Sequence, residues 1–113
     1  MPDCIFCRIA AGDLPAKIVH RDDLVVAIED LNPRAPTHLL VMPIAHHANV
    51  HELSTRDRAL AARLFEVASQ LGSQHGGDSG FRLVVNTGRD GGQTVDHVHV
   101  HMLAGRRMEW PPG

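Results

Sequence analysis

Three histidines near the carboxyl-terminal end alternate with apolar residues, in the segment HVHVHML at residues 97–103. Successive side chains of an extended strand point to opposite faces, so His97, His99 and His101 share one face and the apolar residues share the other. Neighbouring histidines on that face are separated by roughly 6.6 Å along one line. The segment therefore predicts a strand with one chemical face and one core face.

Residues 86–94 (NTGRDGGQT), just upstream, combine glycines with amide and hydroxyl side chains. Glycines let backbone N–H groups approach an anion closely. Imidazoles beside an anion-binding turn indicate phosphate chemistry. Because the chain has nine histidines, two other interpretations stay open. The three histidines could be ordinary strand residues, or two of them could bind zinc from positions i and i+2.

A neutral imidazole is a good nucleophile, and the ordinary histidine pKa of about 6.5 leaves it largely neutral at cytoplasmic pH. Attack on a phosphate would form a covalent nucleotidyl-histidine that water then cleaves. His99 is the predicted nucleophile, because it has potential donors on both sides. His38 and His101 are predicted to orient the phosphate and to stabilise developing charge.

The leaving group of such a displacement needs a proton as it departs. The Thr94 hydroxyl is predicted to supply it. Asn86 and Gln93 are predicted to donate amide hydrogens to phosphate oxygens, and Gly92 to donate its backbone N–H. Without the histidines, these residues would be read simply as a polar turn.

Composition limits the class of protein. A chain of 113 residues, 43% of them hydrophobic, fits one domain spanning residues 1–113. A net charge of −2 offers no basic field for a nucleic acid polymer. The sequence has neither a long apolar run nor a charged segment leading into one, so we expect no membrane association and a cytoplasmic location.

The periodicity predicts an α+β domain with a mainly antiparallel sheet and a helix packed on one face. The predicted helices cover residues 4–11 and about 55–74, the second beginning with a capping box at Ser54 and Asp57. The predicted strands cover residues 18–21, 24–28, 38–42, 81–86 and 95–103.

Residues 97–103 fill every position of the pattern His-φ-His-φ-His-φ-φ, with φ apolar, and so closely resemble the histidine triad (HIT) family. The resemblance extends over nearly the whole chain, through the segments IF (5–6), PAK (15–17), DLNP (30–33), APTH (35–38), GGQT (91–94) and WPPG (110–113), and Asn86. The ending WPPG resembles the branch called histidine triad nucleotide-binding proteins.

That resemblance implies a HIT-like fold, a five-stranded mainly antiparallel sheet with one long and one short helix, and a homodimer. It implies hydrolysis of purine nucleoside 5′-phosphoramidates, with adenosine favoured, and a nucleophile at the position of His99. Two alternatives stay open: a non-catalytic purine nucleotide- or zinc-binding module, and a diadenosine polyphosphate hydrolase.

The resemblance also implies a nucleotide site. It assigns the base pocket to Phe6, Ile9, Ile28 and Leu31, and the ribose hydroxyls to Asp30. Core packing is an equally good interpretation of the apolar residues. The tail, residues 104–113, is expected to contribute to the dimer and to the rim of the active site, with Trp110 bordering the partner's pocket. Alternatively, Trp110 caps the core of its own chain.

Cys4 and Cys7 are the only cysteines, and their spacing of about one helical turn lets both thiolates face one ion, as zinc requires. The resemblance points to His46 and His97 as the other ligands. A redox pair or two inert thiols are the alternatives, and the nucleotide-binding branch often lacks these cysteines. Asp96 departs from the family, whose members usually have an apolar or aromatic residue there. By strand parity Asp96 faces the core unless the strand end is exposed, and it could orient a histidine ligand.

Overall fold

A computed structural model describes residues 3–113. The sheet consists of β1 (Ile18–Arg21), β2 (Val25–Glu29), β3 (Thr37–Pro43), β4 (Phe81–Val84) and β5 (Val100–Ala104). The strands lie in the order β1-β2-β3-β5-β4, and each neighbouring pair is antiparallel. The predicted five-stranded antiparallel α+β fold is therefore confirmed, with the apolar strand β3 at its centre.

Three α-helices are α1 (Ile5–Ala10), α2 (Val50–Arg56) and α3 (Arg58–Gly76), followed by a 3-10 turn at Gly77–Ser79. The long helix predicted for residues 55–74 corresponds to α3, whereas α2, which ends just before Asp57, was not predicted. Asp57 has φ −149° and ψ 84°, outside the helical region, and its side chain accepts the Leu60 N–H at the start of α3. A short carboxylate that bonds the backbone ends one helix and caps the next.

The predicted capping box at Ser54 was wrong. Ser54 lies inside α2, where its hydroxyl donates to the His51 carbonyl at 3.0 Å. The cap of α2 is Asn49, whose side chain accepts the Glu52 N–H at 2.9 Å. Asparagine is as good an N-cap as serine. Helix α2 therefore begins at Val50, directly after Asn49, and buries Leu53.

The sheet buries a different apolar cluster on each face. The cluster on the α3 side contains Val98, Val100 and Met102, the residues that alternate with the histidines. The cluster on the other face contains Phe6 and Ile9 of α1. The predicted division of the histidine segment into two faces is therefore confirmed.

The predicted fifth strand was too long at its start. Residues 95–99 are irregular, and β5 begins only at Val100. The alternation nevertheless continues upstream, since Val98 lies in the cluster on the α3 side and His97 contacts Phe6 on the other face. A backbone hydrogen bond of 2.8 Å from Val98 to the His47 carbonyl holds this stretch.

Within residues 3–113, no helix combines the length and the apolar character needed to cross a membrane.

Candidate active site and metal centre

His38 and His101 form a hydrogen-bonded pair across two neighbouring strands. In the β3–β5 register Leu40 lies opposite His101, which makes His38 its diagonal neighbour on the same face. The two rings are joined by His38 Nε2 and His101 Nδ1 at 2.9 Å. The backbone N–H of Arg34 donates to His38 Nδ1 at 3.0 Å, so a neutral His38 carries its hydrogen on Nε2.

This arrangement fixes the tautomers of the pair. His38 Nε2–H donates to His101 Nδ1, and a neutral His101 therefore carries its own hydrogen on Nε2. The pair is then a relay that begins at a backbone amide and ends in an N–H donor. Such a donor can hold a phosphoryl oxygen.

Burial favours the neutral forms that this relay needs. It lowers the pKa of His101 to about 4, and the neighbouring imidazoles of His99 and His38 disfavour a further positive charge in the same direction. Burial also lowers the pKa of His38, although the carboxylate of Asp30 opposes this. Asp30 Oδ2 lies 3.4 Å from His38 Nε2, and Asp30 Oδ1 accepts the Asn32 N–H at 2.8 Å. Asp30 thus faces the histidine pair from the loop before β3.

His99, the predicted nucleophile, is held by the backbone of its own segment. Its Nδ1 lies 2.8 Å from the His97 carbonyl oxygen, and only an N–H can donate to a carbonyl. The neutral ring therefore leaves Nε2 without a hydrogen, available as a nucleophile. The Phe6 ring packs edge-on against it, with centroids 5.1 Å apart, and restricts its orientation.

His97 has the opposite tautomer. Its Nε2 lies 2.8 Å from the Pro43 carbonyl and must donate there, which leaves Nδ1 as an acceptor. Burial lowers the pKa of His97 to about 4, although the hydrogen bond to the Pro43 carbonyl acts to raise it. A buried imidazole with a bare Nδ1 is suited to bind a metal ion.

The bare Nδ1 of His97 faces Cys4, Cys7 and His46, and the ligand atoms of all four residues lie within 4.8 Å of one another. His97 Nδ1 is 3.4 Å from Cys4 Sγ, 3.5 Å from Cys7 Sγ and 3.2 Å from His46 Nδ1. The Cys7 Sγ to His46 Nδ1 distance is 3.3 Å. We call these four residues the Cys–His cluster.

The Cys–His cluster fits a tetrahedral ion. Zinc bonds of ordinary length place sulfur and nitrogen about 3.6 Å apart and two nitrogens about 3.3 Å apart. The four measured separations agree with these values to within a few tenths of an ångström. Helix α1 contributes to this fit, because Cys4 is its N-cap and Cys7 follows one turn later.

The glycine-rich turn differs from the prediction at Gln93. Its amide nitrogen donates to the carbonyls of Ala48 at 2.7 Å and Val95 at 2.9 Å, and its Oε1 accepts the Gly88 N–H at 3.0 Å. Both amide hydrogens are thus engaged within the protein, and neither is free for a phosphate. Gln93 instead closes the turn and attaches it to the segment before α2.

Gly92 was also predicted to donate to phosphate. Its backbone N–H donates to the Arg89 carbonyl at 3.1 Å, so this donor too is used within the turn. Its φ of +82° explains why glycine stands here.

Asn86 and Thr94 border different cavities. Asn86 lines one of about 210 Å³ together with His38 and His101. Thr94 is exposed and lines another of about 420 Å³, beside Cys4 and His46 of the Cys–His cluster. The structure therefore brings Asn86, but not Thr94, into one cavity with the histidine pair.

Asp96 is exposed at the edge of the cavity that Thr94 lines. Of the two expectations for Asp96, the exposed strand end is therefore the one that the structure shows, since regular strand geometry begins only at Val100.

The residues assigned to the nucleoside occupy two environments. Phe6, Ile9 and Ile28 are buried in the cluster on the α1 side of the sheet, as core packing would require. Leu31 is fully exposed in the loop after β2. Trp110 is 83% exposed, so it does not cap the core of its own chain.

Sequence reasoning missed the groups that orient the histidines. They are the N–H of Arg34 and the carbonyls of Pro43 and His97. Because all three belong to the backbone, residue type carries no signal for them.

The antiparallel sheet and the alternating histidines define a histidine triad protein. The model of the HIT domain family matches residues 11–108. The chain belongs to that family, and the resemblance to the histidine triad family as a whole is confirmed.

Relatives and solved structures cover the chain almost completely. The chain is 40% identical to the purine nucleoside phosphoramidase of Escherichia coli, over 94% of this chain and 90% of that protein. It is 38% identical to the 14 kDa zinc-binding protein of Brassica juncea, over 98% of this chain and 100% of that protein. The crystal structure of a HIT family hydrolase from Legionella pneumophila superposes with a TM-score of 0.93 at 43% identity, covering 98% of this chain and 100% of that one.

Proposed function

We propose that the protein is a nucleotide phosphoramidate hydrolase of the histidine triad nucleotide-binding branch. Its substrates would be purine nucleoside 5′-phosphoramidates, with adenosine favoured. One observation carries the proposal: the hydrogen bond from His99 Nδ1 to the His97 carbonyl at 2.8 Å, which leaves a bare nucleophilic Nε2 beside the His38–His101 relay. The relative named as a purine nucleoside phosphoramidase supports the choice of substrate.

In this mechanism His99 Nε2 attacks the phosphorus, and the bond from phosphorus to the amine nitrogen breaks. The bonding electron pair leaves with the amine, which takes up a proton; we retain the Thr94 hydroxyl as the donor. Water then attacks the phosphorus of the nucleotidyl-histidine, releasing the nucleoside monophosphate and restoring neutral His99.

The His38–His101 relay would act on the phosphoryl oxygens. The outward His101 Nε2–H can donate to an oxygen that gains negative charge in the transition state. Because both rings are neutral and already hydrogen-bonded to each other, the donor needs no reorganisation before the reaction. Asn86, which shares a cavity with His101, can donate an amide hydrogen from the other side.

The nucleoside would lie across the loop after β2. The exposed Leu31 would provide apolar surface for a base, next to the buried Phe6 and Ile28 that the family resemblance also assigns to the base pocket. Asp30 lies in the same loop, and its carboxylate would accept hydrogen bonds from the ribose hydroxyls. Adenosine is favoured by the family resemblance and not by a specific contact.

We also propose that the Cys–His cluster holds zinc. The donor set of two thiolates and two imidazoles, and its tetrahedral separations, match a structural zinc site. Such an ion would supply a cross-link between α1, the segment after β3 and His97, and would take no part in the chemical steps. The relative named as a zinc-binding protein supports the choice of metal.

Finally, we propose a homodimer in which the tail of each chain reaches its partner's site. Three large apolar side chains support it: Phe65 on α3 is 37% exposed, Phe81 on the edge strand β4 is 38% exposed, and Trp110 is 83% exposed. Pairing through α3 and β4 would cover the first two and place Trp110 at the partner's active-site rim. The mass in solution tests this assembly.

The decisive experiment incubates the purified protein with adenosine 5′-phosphoramidate and measures AMP release. We expect turnover, and at least about a thousand-fold loss for His99→Ala, because the covalent route is removed. The exposed His51→Ala is the matched control and should keep the wild-type rate. Binding of AMP to His99→Ala shows that the variant remains folded.

Other outcomes favour the alternatives. A protein that binds adenosine 5′-phosphoramidate without releasing AMP would be a binding module. Faster cleavage of diadenosine polyphosphates than of phosphoramidates would identify the other hydrolase class. An unimpaired His99→Ala would refute the assignment of the nucleophile.

A further inference from the structure

The Cys–His cluster contains a pair of thiols that the hydrolysis of a nucleotide does not use. Cys4 and Cys7 are both free and half-buried, and the sequence has no other cysteine. Both sulfurs lie next to the same nitrogen, His97 Nδ1, at 3.4 and 3.5 Å, and within 4.8 Å of each other. Oxidation within one chain can therefore join only these two sulfurs.

The local structure allows the two sulfurs to approach each other. A disulfide bond brings its sulfurs to about 2.05 Å, so they must move closer than they lie here. Cys4 is the N-cap of α1 and has an extended conformation, with φ −87° and ψ 116°. The Cys7 N–H donates to Cys4 Sγ at 3.4 Å, which directs that sulfur toward Cys7. Rotation of the Cys4 side chain closes the remaining gap without a change in the dihedral angles of α1.

The cavity of about 420 Å³ beside Thr94 leads to one of the two sulfurs. Cys4 and His46 lie in its wall, whereas His97 is fully buried on the inner side of the cluster. A small solute that enters this cavity meets Cys4 first. Cys7, one turn further along α1, is then the second thiol that completes the reaction, the arrangement expected of a redox-sensitive pair.

Two carboxylates at this cavity indicate the kind of oxidant. Asp3 and Asp96 line it, and both are exposed. Their negative charge disfavours the entry of anionic oxidants and does not affect a small neutral molecule. Hydrogen peroxide, which is small and uncharged, therefore fits the cavity.

His97 connects the thiols to the catalytic segment. Its ring belongs to the Cys–His cluster, and its backbone carbonyl accepts from His99 Nδ1 at 2.8 Å. Phe6, which lies between the two cysteines in α1, packs edge-on against the His97 ring with centroids 5.9 Å apart. Loss of the ligands on α1 would therefore remove a connection that lies directly beside the active site.

We propose that Cys4 and Cys7 form a site of reversible oxidation that controls the metal content of the Cys–His cluster. Zinc, when bound, keeps both sulfurs as thiolates, the form that peroxide oxidises. The Cys4 thiolate attacks one oxygen of hydrogen peroxide and becomes a sulfenic acid, and hydroxide leaves. The Cys7 thiolate then attacks the Cys4 sulfur, a second hydroxide leaves, and the disulfide forms.

The electrons and protons of this reaction balance. Two electrons pass from the two sulfurs to the two oxygens of peroxide, and two protons from solvent convert both hydroxides to water. The sulfurs of a disulfide carry no negative charge, whereas the thiolate is the form that binds a metal. Only His46 and His97 then remain as ligands, which is too few for a structural zinc site.

This inference rests on the proposed zinc site and deepens it, because it states how the ion is released. Helix α1 keeps other contacts after oxidation. Phe6 and Ile9 belong to the apolar cluster on that face of the sheet, and Arg21 Nη2 donates to the Ala10 carbonyl at 2.8 Å. Oxidation would therefore lower the thermal stability of the protein more than the kcat of each folded molecule.

The test treats the whole zinc-loaded chain with hydrogen peroxide in the presence of a chromogenic zinc chelator. We expect the loss of about two thiols and the release of about one zinc per chain. The mass of the intact chain should show an intramolecular disulfide, and the melting temperature should fall by about 10 °C. Dithiothreitol and added zinc should restore the thiols, the zinc and the melting temperature. Dithiothreitol does not repair oxidised methionine, so this recovery assigns the effect to the cysteines.

Two variants define the order of the reaction. Cys7→Ser keeps the accessible thiol and removes its partner, so a sulfenic acid should accumulate on Cys4 and be trapped by dimedone. His51→Ala changes an exposed residue outside the cluster and should release zinc at the wild-type rate. The wild-type measurement needs neither variant, so the inference stays testable if Cys7→Ser does not fold.

The outcomes separate this inference from the proposals on which it rests. A zinc-loaded protein that keeps both thiols in peroxide, or that oxidises them while zinc stays bound, would overturn the redox role and leave the zinc site intact. Sulfinic acids without a disulfide would also overturn it. Absence of zinc from the purified protein would refute the zinc site and the redox role together. The release of AMP from adenosine 5′-phosphoramidate tests the hydrolase separately.

Discussion

The two ends of the histidine segment use the same residue in opposite ways. His97 and His101 occupy the same sequence pattern, and burial lowers the pKa of each to about 4. His97 donates from Nε2 to the Pro43 carbonyl and directs a bare Nδ1 into the Cys–His cluster. His101 accepts at Nδ1 from His38 and keeps its hydrogen on Nε2. The neighbouring groups, and not the spacing, decide which nitrogen is a ligand and which is a donor.

This difference predicts that the two ends can be disrupted separately. Loss of the His101 end should affect catalysis more than folding. Loss of the His97 end should affect folding more than catalysis, because it joins α1 to the rest of the chain.

The largest effect is expected at the His101 end. His101→Asn removes the Nε2–H donor and should lower kcat about a hundredfold, the usual cost of losing one donor to a developing oxyanion. The melting temperature should change by only a few degrees, since His101 is only partly buried. Steady-state kinetics and thermal unfolding on the same sample measure both. A hundredfold loss explained entirely by unfolded protein would contradict the assignment.

The next effect is expected at the His97 end. Cys7→Ala removes one ligand of the Cys–His cluster and should lower the melting temperature of the zinc-loaded protein by about 10 °C. The kcat per folded molecule should stay within a few-fold of wild type. Elemental analysis should find about one zinc per wild-type chain and much less in the variant. Equal melting temperatures, with no zinc in either protein, would leave the cysteines as inert thiols.

The smallest effect concerns pH. The pKa of His101 falls from 6.5 to about 4 on folding, mainly through burial, so the unfolded chain takes up the proton first as the solution is acidified. His101 therefore contributes stability fully above pH 6.5, and this contribution is lost between pH 6.5 and about 4. His38, His99 and Asp30 face the His101 ring. All three are also present in the variant His101→Asn.

Unfolding free energies of wild type and His101→Asn, measured across this range, isolate the contribution. The unfolding free energy of the wild type should fall more steeply with decreasing pH than that of the variant. The difference in slope corresponds to at most about one extra proton bound by the unfolded wild-type chain. Parallel curves would show that His101 titrates alike in the folded and unfolded chains.

Much of the fold was predictable because its signals are local. The alternation at residues 97–103 placed Val98, Val100 and Met102 in the core with the correct parity. Helix α2 and its boundary with α3 at Asp57 were missed, because the apolar residues used to predict the helix begin only at Leu60. Only the capping bond to Leu60 reveals that aspartate as a boundary.

The site was predictable in its residue types and less so in their connections. The sequence and the family resemblance together identified the four residues of the Cys–His cluster, which the structure brings together. Gln93 was assigned to the phosphate because an amide beside glycines is a good anion donor. Its actual partners include the carbonyl of Ala48, which is distant in sequence and therefore invisible to a local pattern.

The bonds of Gln93 have a thermodynamic consequence for ligand binding. They close the glycine-rich turn before any nucleotide arrives, and Ala48 is itself anchored through its N–H to the Glu52 carboxylate at 2.6 Å. A turn that is already ordered loses little conformational entropy when a phosphate binds beside it. Nucleotide affinity then depends on contacts made and not on the cost of ordering a loop, so binding should show only the small heat-capacity change of a preformed site.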